Sequence, residues 1–364
     1  MNRAYNDNRE YTDAMDGLRF SDEAKARMVQ NLLDAAGESA PKQEKTRVRK
    51  LRMPRVAAVG VAAALVLGIG AGASGVLKTA GEAFSGVFGP TADTEIIDRI
   101  GRPIGASDTD NGVTVTADAI IGDKYHYAIT YSIVRDDGEA FDIDLSKTVG
   151  DGLLPLNFAE EDTTLMGYFG GTHGGSYFYD ADPTDPSIQY VETRELSDGD
   201  VHGRTVQAKF SDLYVFDEDM NRTVIAEGDW SFKFNLDFED TSINLPAGQS
   251  FGLNGMTATI DEITLSPLAL RVDYTVDSEV KWDENAQSGK QSDHDRAQMQ
   301  KYFDDVQILI NKADGTSLDM SYAGGSIKPQ GGKTVCQKGD IFSEIIPLED
   351  VVSLTIGGVE IPVQ

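Results

Sequence analysis

Residues 56–77 form an unbroken run of 22 uncharged residues, and Ser74 is the one polar side chain in it. As a helix rising about 1.5 Å per residue it reaches roughly 33 Å, the thickness of a bilayer core. A helix buried in a soluble core would normally keep a polar face, and this run has none. The run therefore predicts one membrane-spanning helix. It separates a short segment, residues 1–55, from a long region that begins at residue 78. A cleaved signal peptide is the competing reading, with Ala71-Gly72-Ala73 as a cleavage motif. The lead of 55 residues and the length of the apolar run favour a retained anchor.

Charge sets the orientation. Residues 42–55 hold seven Lys and Arg and one acid, Glu44, against the single Lys78 at the far end. Basic flanks stay in the cytoplasm, so the N-terminus is expected inside and the rest outside the cell membrane. From Thr79 onward there are 51 Asp and Glu against 19 Lys and Arg. Such acidity argues against direct nucleic-acid binding by the outer region. Cys336 is the one cysteine, so no internal disulfide framework is available, and the region is long enough to build cores without one. Together these features suggest an extracytoplasmic protein of a Gram-positive bacterium.

Within the first segment, Ser21 is a good N-cap, with Asp22 and Glu23 in the first turn. Ala24, Met28, Leu32 and Ala36 recur every fourth residue, and Val29 and Leu33 widen the stripe. Gly37 and Pro41 end the predicted helix. Met28, Val29, Leu32 and Leu33 are the candidate partner-binding residues. The stripe docks on a partner or lies on the membrane; the alternative is a fraying tail. Inside the span, Gly60, Ala64, Gly68 and Gly72 are spaced by four and form a small-residue stripe. It would let two copies approach closely as a homodimer; general Ala and Gly richness is the competing explanation.

Residues 79–93 read as a linker. Beyond them, alternating runs predict strands near 113–121, 125–134, 206–215, 230–238, 256–265, 268–276, 306–310 and 351–356, the pattern of sandwiches. Residues 111–133 and 254–276 align without a gap at an offset of 143. Asn111/Asn254, Gly112/Gly255, Thr114/Thr257, Thr116/Thr259, Asp118/Asp261, Ile120/Ile263 and Tyr131/Tyr274 are identical. A duplication follows. The expected fold is an all-β outer region of two tandem Ig-like sandwiches, plus one transmembrane helix and a short α-helical cytoplasmic segment. The expected divisions are 1–55 cytoplasmic, 56–77 transmembrane, 78–95 linker, 96–242 first sandwich and 243–364 second sandwich.

No constellation points to catalysis, to a metal or to another cofactor, and the chain is read as a non-enzyme. His126, His173, His202 and His294 are scattered, and no HExxH occurs. His126 is expected as a packed strand residue and His173 as part of a glycine-rich loop. Three acidic stretches resemble the start of a calcium loop: Asp108 with Asp110, Asp180 with Asp182 and Asp185, and Asp217 with Asp219. The first and last depart from the EF-hand pattern after those acids, and solvated turns are the simpler reading of all three. Trp230 opens Trp-Ser-Phe-Lys-Phe, a core strand.

Several stretches carry a resemblance: residues 11–33 (YTDAMDGLRFSDEAKARMVQNLL), the apolar run, residues 109–132, the Trp230 strand and Ile263-Thr264-Leu265-Ser266-Pro267-Leu268. The chain resembles the bacterial family known as domain of unknown function 4179. That resemblance implies a cytoplasmic segment, one span, Ig-like domains outside, and a role as an anti-sigma factor. The implied partner is an extracytoplasmic-function sigma factor, and the signal or ligand outside is unknown. Residues 1–55 contain no His and no Cys, so sigma binding would proceed without zinc. The competing function is a membrane-anchored Ig-like binding or adhesion module.

Overall fold

The computed structural model describes residues 78–89, 94–143, 153–180, 185–216, 221–284 and 291–363. The predicted helix at 21–36, the basic stretch and the apolar run lie outside these residues. Among the described residues, no helix is long and apolar enough to cross a membrane.

The described region is mostly β-sheet. It opens with two short helices, α1 (Ala80–Ala83) and α2 (Thr94–Ile100). Nine strands follow: β1 (Arg102–Asp110), β2 (Val113–Gly122), β3 (His126–Arg135), β4 (Leu153–Leu154), β5 (Leu156–Leu165), β6 (Thr172–Tyr179), β7 (Ile188–Leu196), β8 (Thr205–Phe216) and β9 (Arg222–Asn235). They form a sheet in the order β1-β2-β3-β7-β6-β4 and a second sheet in the order β5-β8-β9. One apolar cluster, including Ile120, Tyr131, Tyr190, Phe210 and Trp230, draws residues from both sheets and makes them a sandwich. From Ala226 onward the alternation in β9 is strict, with Ala226, Trp230, Phe232 and Phe234 facing inward. The Trp230 indole N–H donates to the Val113 carbonyl at 2.9 Å, which satisfies its one polar atom.

The second half contains β10 (Ile243–Asn244), β11 (Ser250–Leu253), β12 (Met256–Leu265), β13 (Ala269–Val276), helix α3 (Asp293–Met299) with a π-helical turn after it, β14 (Ile308–Lys312), β15 (Ser317–Asp319), β16 (Gly325–Gln330), β17 (Lys333–Ile341), β18 (Val351–Ile356) and β19 (Val359–Pro362). One sheet runs β10-β12-β13-β17-β16, with β11 also on β12, and the other runs β15-β14-β18-β19. A second apolar cluster, including Ile263, Tyr274, Ile310, Leu354 and Ile361, lies between them.

The two copies of the repeat fold alike. Asn111 and Gly112 turn with φ of 48° and 76°; Asn254 and Gly255 turn with φ of 50° and 79°. Two successive left-handed residues make the tight hairpin turn that suits twisted strands, which explains the Asn-Gly pair in each copy. The β2–β3 register slips between Ala117 and Ala119, and the β12–β13 register slips between Ile260 and Glu262. Asp118 and Asp261 occupy these bulges at matching positions. Each accepts a hydrogen bond from the neighbouring strand, from the Ser132 hydroxyl at 2.9 Å and from the Thr275 hydroxyl at 2.6 Å. Equal-offset Asp residues thus mark equal-offset bulges.

The linker expected at residues 78–95 requires correction. Thr79 and Glu82 form a capping box around α1, with the Thr79 amide donating to Glu82 at 2.8 Å and the Glu82 amide to Thr79 at 3.2 Å. The Gly81 amide donates to Asp98 at 2.6 Å, which joins α1 to α2. Phe84, Phe88, Ile96, Ile97 and Ile100 are buried in a third apolar cluster. That cluster contains Ala119, Ile121 and Ala128 from the first half and Leu268, Ala269 and Ile345 from the second. Gly, Ser and Pro content suggested a linker, but the phenylalanines and isoleucines in the same stretch outweigh it by area buried.

Candidate functional site

The outer faces of β3 and β7 meet those of β13 and β17, and a buried polar cluster fills the contact. It is built on the two turns that follow the repeated strands. Asp123, after β2, accepts the amides of Tyr125 at 2.9 Å and His126 at 2.8 Å. Ser266, after β12, accepts those of Leu268 at 3.1 Å and Ala269 at 2.9 Å. Asp123 and Ser266 are 143 residues apart, so they hold one position of the repeat. The Ser266 hydroxyl donates to the free Asp123 oxygen at 2.6 Å, so equivalent residues meet across the junction.

His126 sits between two carboxylates. Its Nδ1 lies 2.9 Å from Asp123 and its Nε2 lies 3.5 Å from Glu195. Relative exposure is 1% at His126 and 3% at Glu195, so these charges are shielded from water. Glu195 also meets the His173 Nε2 at 2.9 Å and accepts from the Gln337 amide at 2.6 Å. Burial opposes charge on His126, but Asp123 and Glu195 outweigh it and raise its pKa to about 10. Burial likewise opposes charge on Asp123, yet the imidazolium beside it and three hydrogen bonds hold its carboxyl below the usual range. Glu195 is likewise held below the usual carboxylate range, against burial, by its two histidines. The hydrogen bond to Glu195 raises the half-buried His173. Asp340, on β17 near the same histidines, is raised, chiefly by burial.

A second tie runs beside the first. Arg271 on β13 donates to the carbonyls of Leu196 at 2.9 Å and Ser197 at 3.1 Å. Its guanidinium lies 3.9 Å from the Tyr125 ring centroid and pairs with Asp273 at 3.1 Å. The Tyr125 hydroxyl and Lys124 both donate to Glu262, at 3.3 and 3.2 Å.

Chemically, this cluster holds protons in place. The imidazolium donates Nδ1–H to Asp123 and directs Nε2–H at Glu195. The Ser266 hydroxyl is committed to Asp123 rather than to the imidazole, so no activated nucleophile is assembled. Among the described residues, no group of three or more His, Cys, Asp or Glu is arranged to hold a metal ion.

Met28, Val29, Leu32, Leu33, Gly60, Ala64, Gly68 and Gly72 lie outside the described residues. His126 is packed on its strand as expected; His173, expected in a glycine-rich loop, instead lies in β6 as its second residue, paired with Glu195 in the ladder. His202 stacks edge-on with Phe238 and His294 meets the Lys281 carbonyl at 2.7 Å. The acidic pair Asp108 and Asp110 is not a loop of solvated ligands. These residues accept the amides of Ser231 at 2.8 Å and Asp229 at 3.0 Å, and so stitch β1 to β9. Asp185 caps Ser187 in a local turn, and Asp182, Asp217 and Asp219 lie outside the described residues. Sequence reasoning missed Ser266, Glu195, Gln337 and Arg271. The alignment of Asp123 with Ser266 held the available signal for Ser266.

No family model matches the chain, and no curated protein matches it. Among solved structures, the chain is similar to one titled "The crystal structure of the conserved domain protein from Bacillus anthracis". The two share 16% identity over 70% of this chain and 76% of that one, with a TM-score of 0.43.

Proposed function

We propose that this chain is a single-pass membrane signalling protein, an anti-sigma factor with its sensing region outside the cell. The cytoplasmic helix at 21–36 holds an extracytoplasmic-function sigma factor through Met28, Val29, Leu32 and Leu33, as an apolar stripe in a groove. The basic stretch at 42–55 rests on anionic lipid. The outer region has two tandem Ig-like domains. The strand orders support that reading: β2-β3-β7-β6 opposite β5-β8-β9 follows the A-B-E-D and C-F-G arrangement, and β12-β13-β17-β16 opposite β14-β18-β19 repeats it.

The observation that carries the signalling reading is the third apolar cluster, the collar of α1 and α2 packed on both halves. Seven residues after the apolar run ends at Leu77, Phe84 is fully buried in the cluster that both halves share. A shift of one half against the other therefore pulls on the chain that enters the membrane. A slack linker would not transmit such a shift. The test is a pull-down from the native cell with the tagged full chain and a Leu32→Asp/Leu33→Asp control. A sigma factor retained by the wild type and lost by the control supports the proposal; equal retention refutes the helix face.

The second reading, an outer binding module, draws on Phe169 and Tyr322, which are 98% and 95% exposed on loops that cross between sheets. Deleting residues 1–40 without loss of cellular function favours it.

A further inference from the structure

The second sandwich carries a helix where the first has a cavity. The segment from β3 to β5 spans residues 136–155, and the one from β13 to β14 spans 277–307, 11 residues longer. The extra length is α3 with its π turn, residues 293–304. The last turn of that helix buries Tyr302 and Phe303 in the apolar cluster of the second sandwich. Three residues hold it there. The Asn254 side-chain amide donates to the Lys301 carbonyl at 2.9 Å and to Asp305 at 2.8 Å. The Tyr302 hydroxyl donates to the Glu279 carbonyl at 3.1 Å and lies 2.9 Å from the Ser278 hydroxyl. The repeat offset of 143 carries Asn254, Ser278 and Glu279 onto Asn111, Arg135 and Asp136. Those three residues line a cavity of about 760 Å³ in the first sandwich, and no helix residue lines it.

The duplication narrows the occupant. Phe141 and Ile225 give the cavity apolar walls, which suit the bulky side chains of a helix face. Three acids, Asp136, Asp137 and Glu227, stand at it against Arg135, and Arg135 already donates to Asp137 at 3.0 Å. That balance favours a basic partner over an acidic one. Residues 144–152 contain no aromatic residue, so a separate chain has to supply what Tyr302 and Phe303 supply in the second half. We propose that this cavity docks the C-terminal turn of an amphipathic helix from a partner protein, one that carries an aromatic pair and basic residues. Asn111 donates to the last carbonyls of that helix, and a tyrosine hydroxyl on it donates to the Asp136 carbonyl. This site belongs to the first sandwich alone and stands independently of the sigma-factor reading.

The probe is a fluorescein-labelled peptide of residues 291–306 carrying Asp304→Lys and Asp305→Lys. It is titrated by fluorescence anisotropy with the full chain in nonionic detergent micelles, with protein-free micelles as the blank. Saturable binding is expected. The same peptide with Asp304 and Asp305 restored, and the basic peptide with Tyr302→Phe, are each expected to bind more weakly by about fivefold or more, the worth of one polar contact. In the full chain, Asn111→Gly keeps the left-handed turn, removes the amide donor and is expected to weaken the basic peptide by a similar factor. Absence of saturable binding, equal binding of either altered peptide, or unchanged binding by Asn111→Gly overturns the assignment. The first two outcomes need only the wild type and hold even where the variant fails to fold.

Discussion

The hydroxyl of Ser266 donates to the carboxylate of Asp123 at 2.6 Å, and these two residues occupy the same position in two copies of one repeat. Each caps the amides of its own turn, and the two equivalent turns meet at a single hydrogen bond. Around that point the copies diverge. His126 aligns with Ala269 and Ala128 aligns with Arg271, so each half contributes one cation where the other has alanine.

Ser266→Ala removes that hydrogen bond and the cap of its own turn. A destabilisation of about 1–3 kcal/mol is expected from a charge-assisted bond in a buried site. Urea unfolding at neutral pH measures it, and an unchanged midpoint contradicts the role assigned to Ser266.

Asp123→Asn leaves His126 buried beside a weaker partner. Breaking one side of a buried ion pair costs about 3–5 kcal/mol, more than losing Ser266. Urea unfolding of both variants side by side gives the order, and Asp123→Asn milder than Ser266→Ala contradicts it.

The pH response has a defined sign. His126 is raised from its ordinary value of 6.5 to about 10 in the folded chain. Its contribution is complete below about pH 6.5 and is lost as pH rises through about 10. His173 is raised in the same sense and adds to the same alkaline loss. Asp123 and Glu195 are lowered, so what they contribute is present above their ordinary range and lost as pH falls through their depressed values. The wild type is expected to lose stability between pH 7 and 10, and His126→Gln to lose less over that interval. Thermal unfolding across this range checks it, and parallel curves for the two proteins contradict it.

Gly112→Ala and Gly255→Ala test the repeat at its turns. Both glycines have positive φ, and nothing lies within 4 Å of an added Cβ, so backbone strain is the whole effect. Each is expected to cost about 1 kcal/mol, and by similar amounts. Thermal unfolding of the two variants measures it, and a several-fold difference shows that the two hairpins are not equivalent.

The runs read as strands fall on β2, β3, β8, β9, β12, β13, β14 and β18, with one face wet as in β9 or both buried as in β3, and the Asn-Gly turns announced their hairpins. The half-exposed β1, β5, β6 and β16 were missed, and so were β7 and β17. Both are central strands buried on two faces, and the second face is the polar junction. Gln189, Glu192 and Glu195 on β7, and Thr334, Gln337 and Lys338 on β17, are buried, so polarity there does not report solvent. Glu195 and Gln337 among them build the candidate site, which is why the site was illegible too. Glu192 illustrates the point: it is fully buried, bonded to Tyr131 and Thr163 and paired with Arg194, yet in sequence it reads as a surface acid. The collar was hidden by composition, since Gly81, Ser85, Gly86, Gly89 and Pro90 surround Phe84 and Phe88.

The central claim is that the junction around His126 makes the two sandwiches open as one. Amide hydrogen exchange in low urea, followed on β3 and on β13 in the full chain, tests it most directly. One shared opening free energy for both strands in the wild type, splitting into two in His126→Ala, is the predicted result. Separate opening free energies already present in the wild type would contradict it.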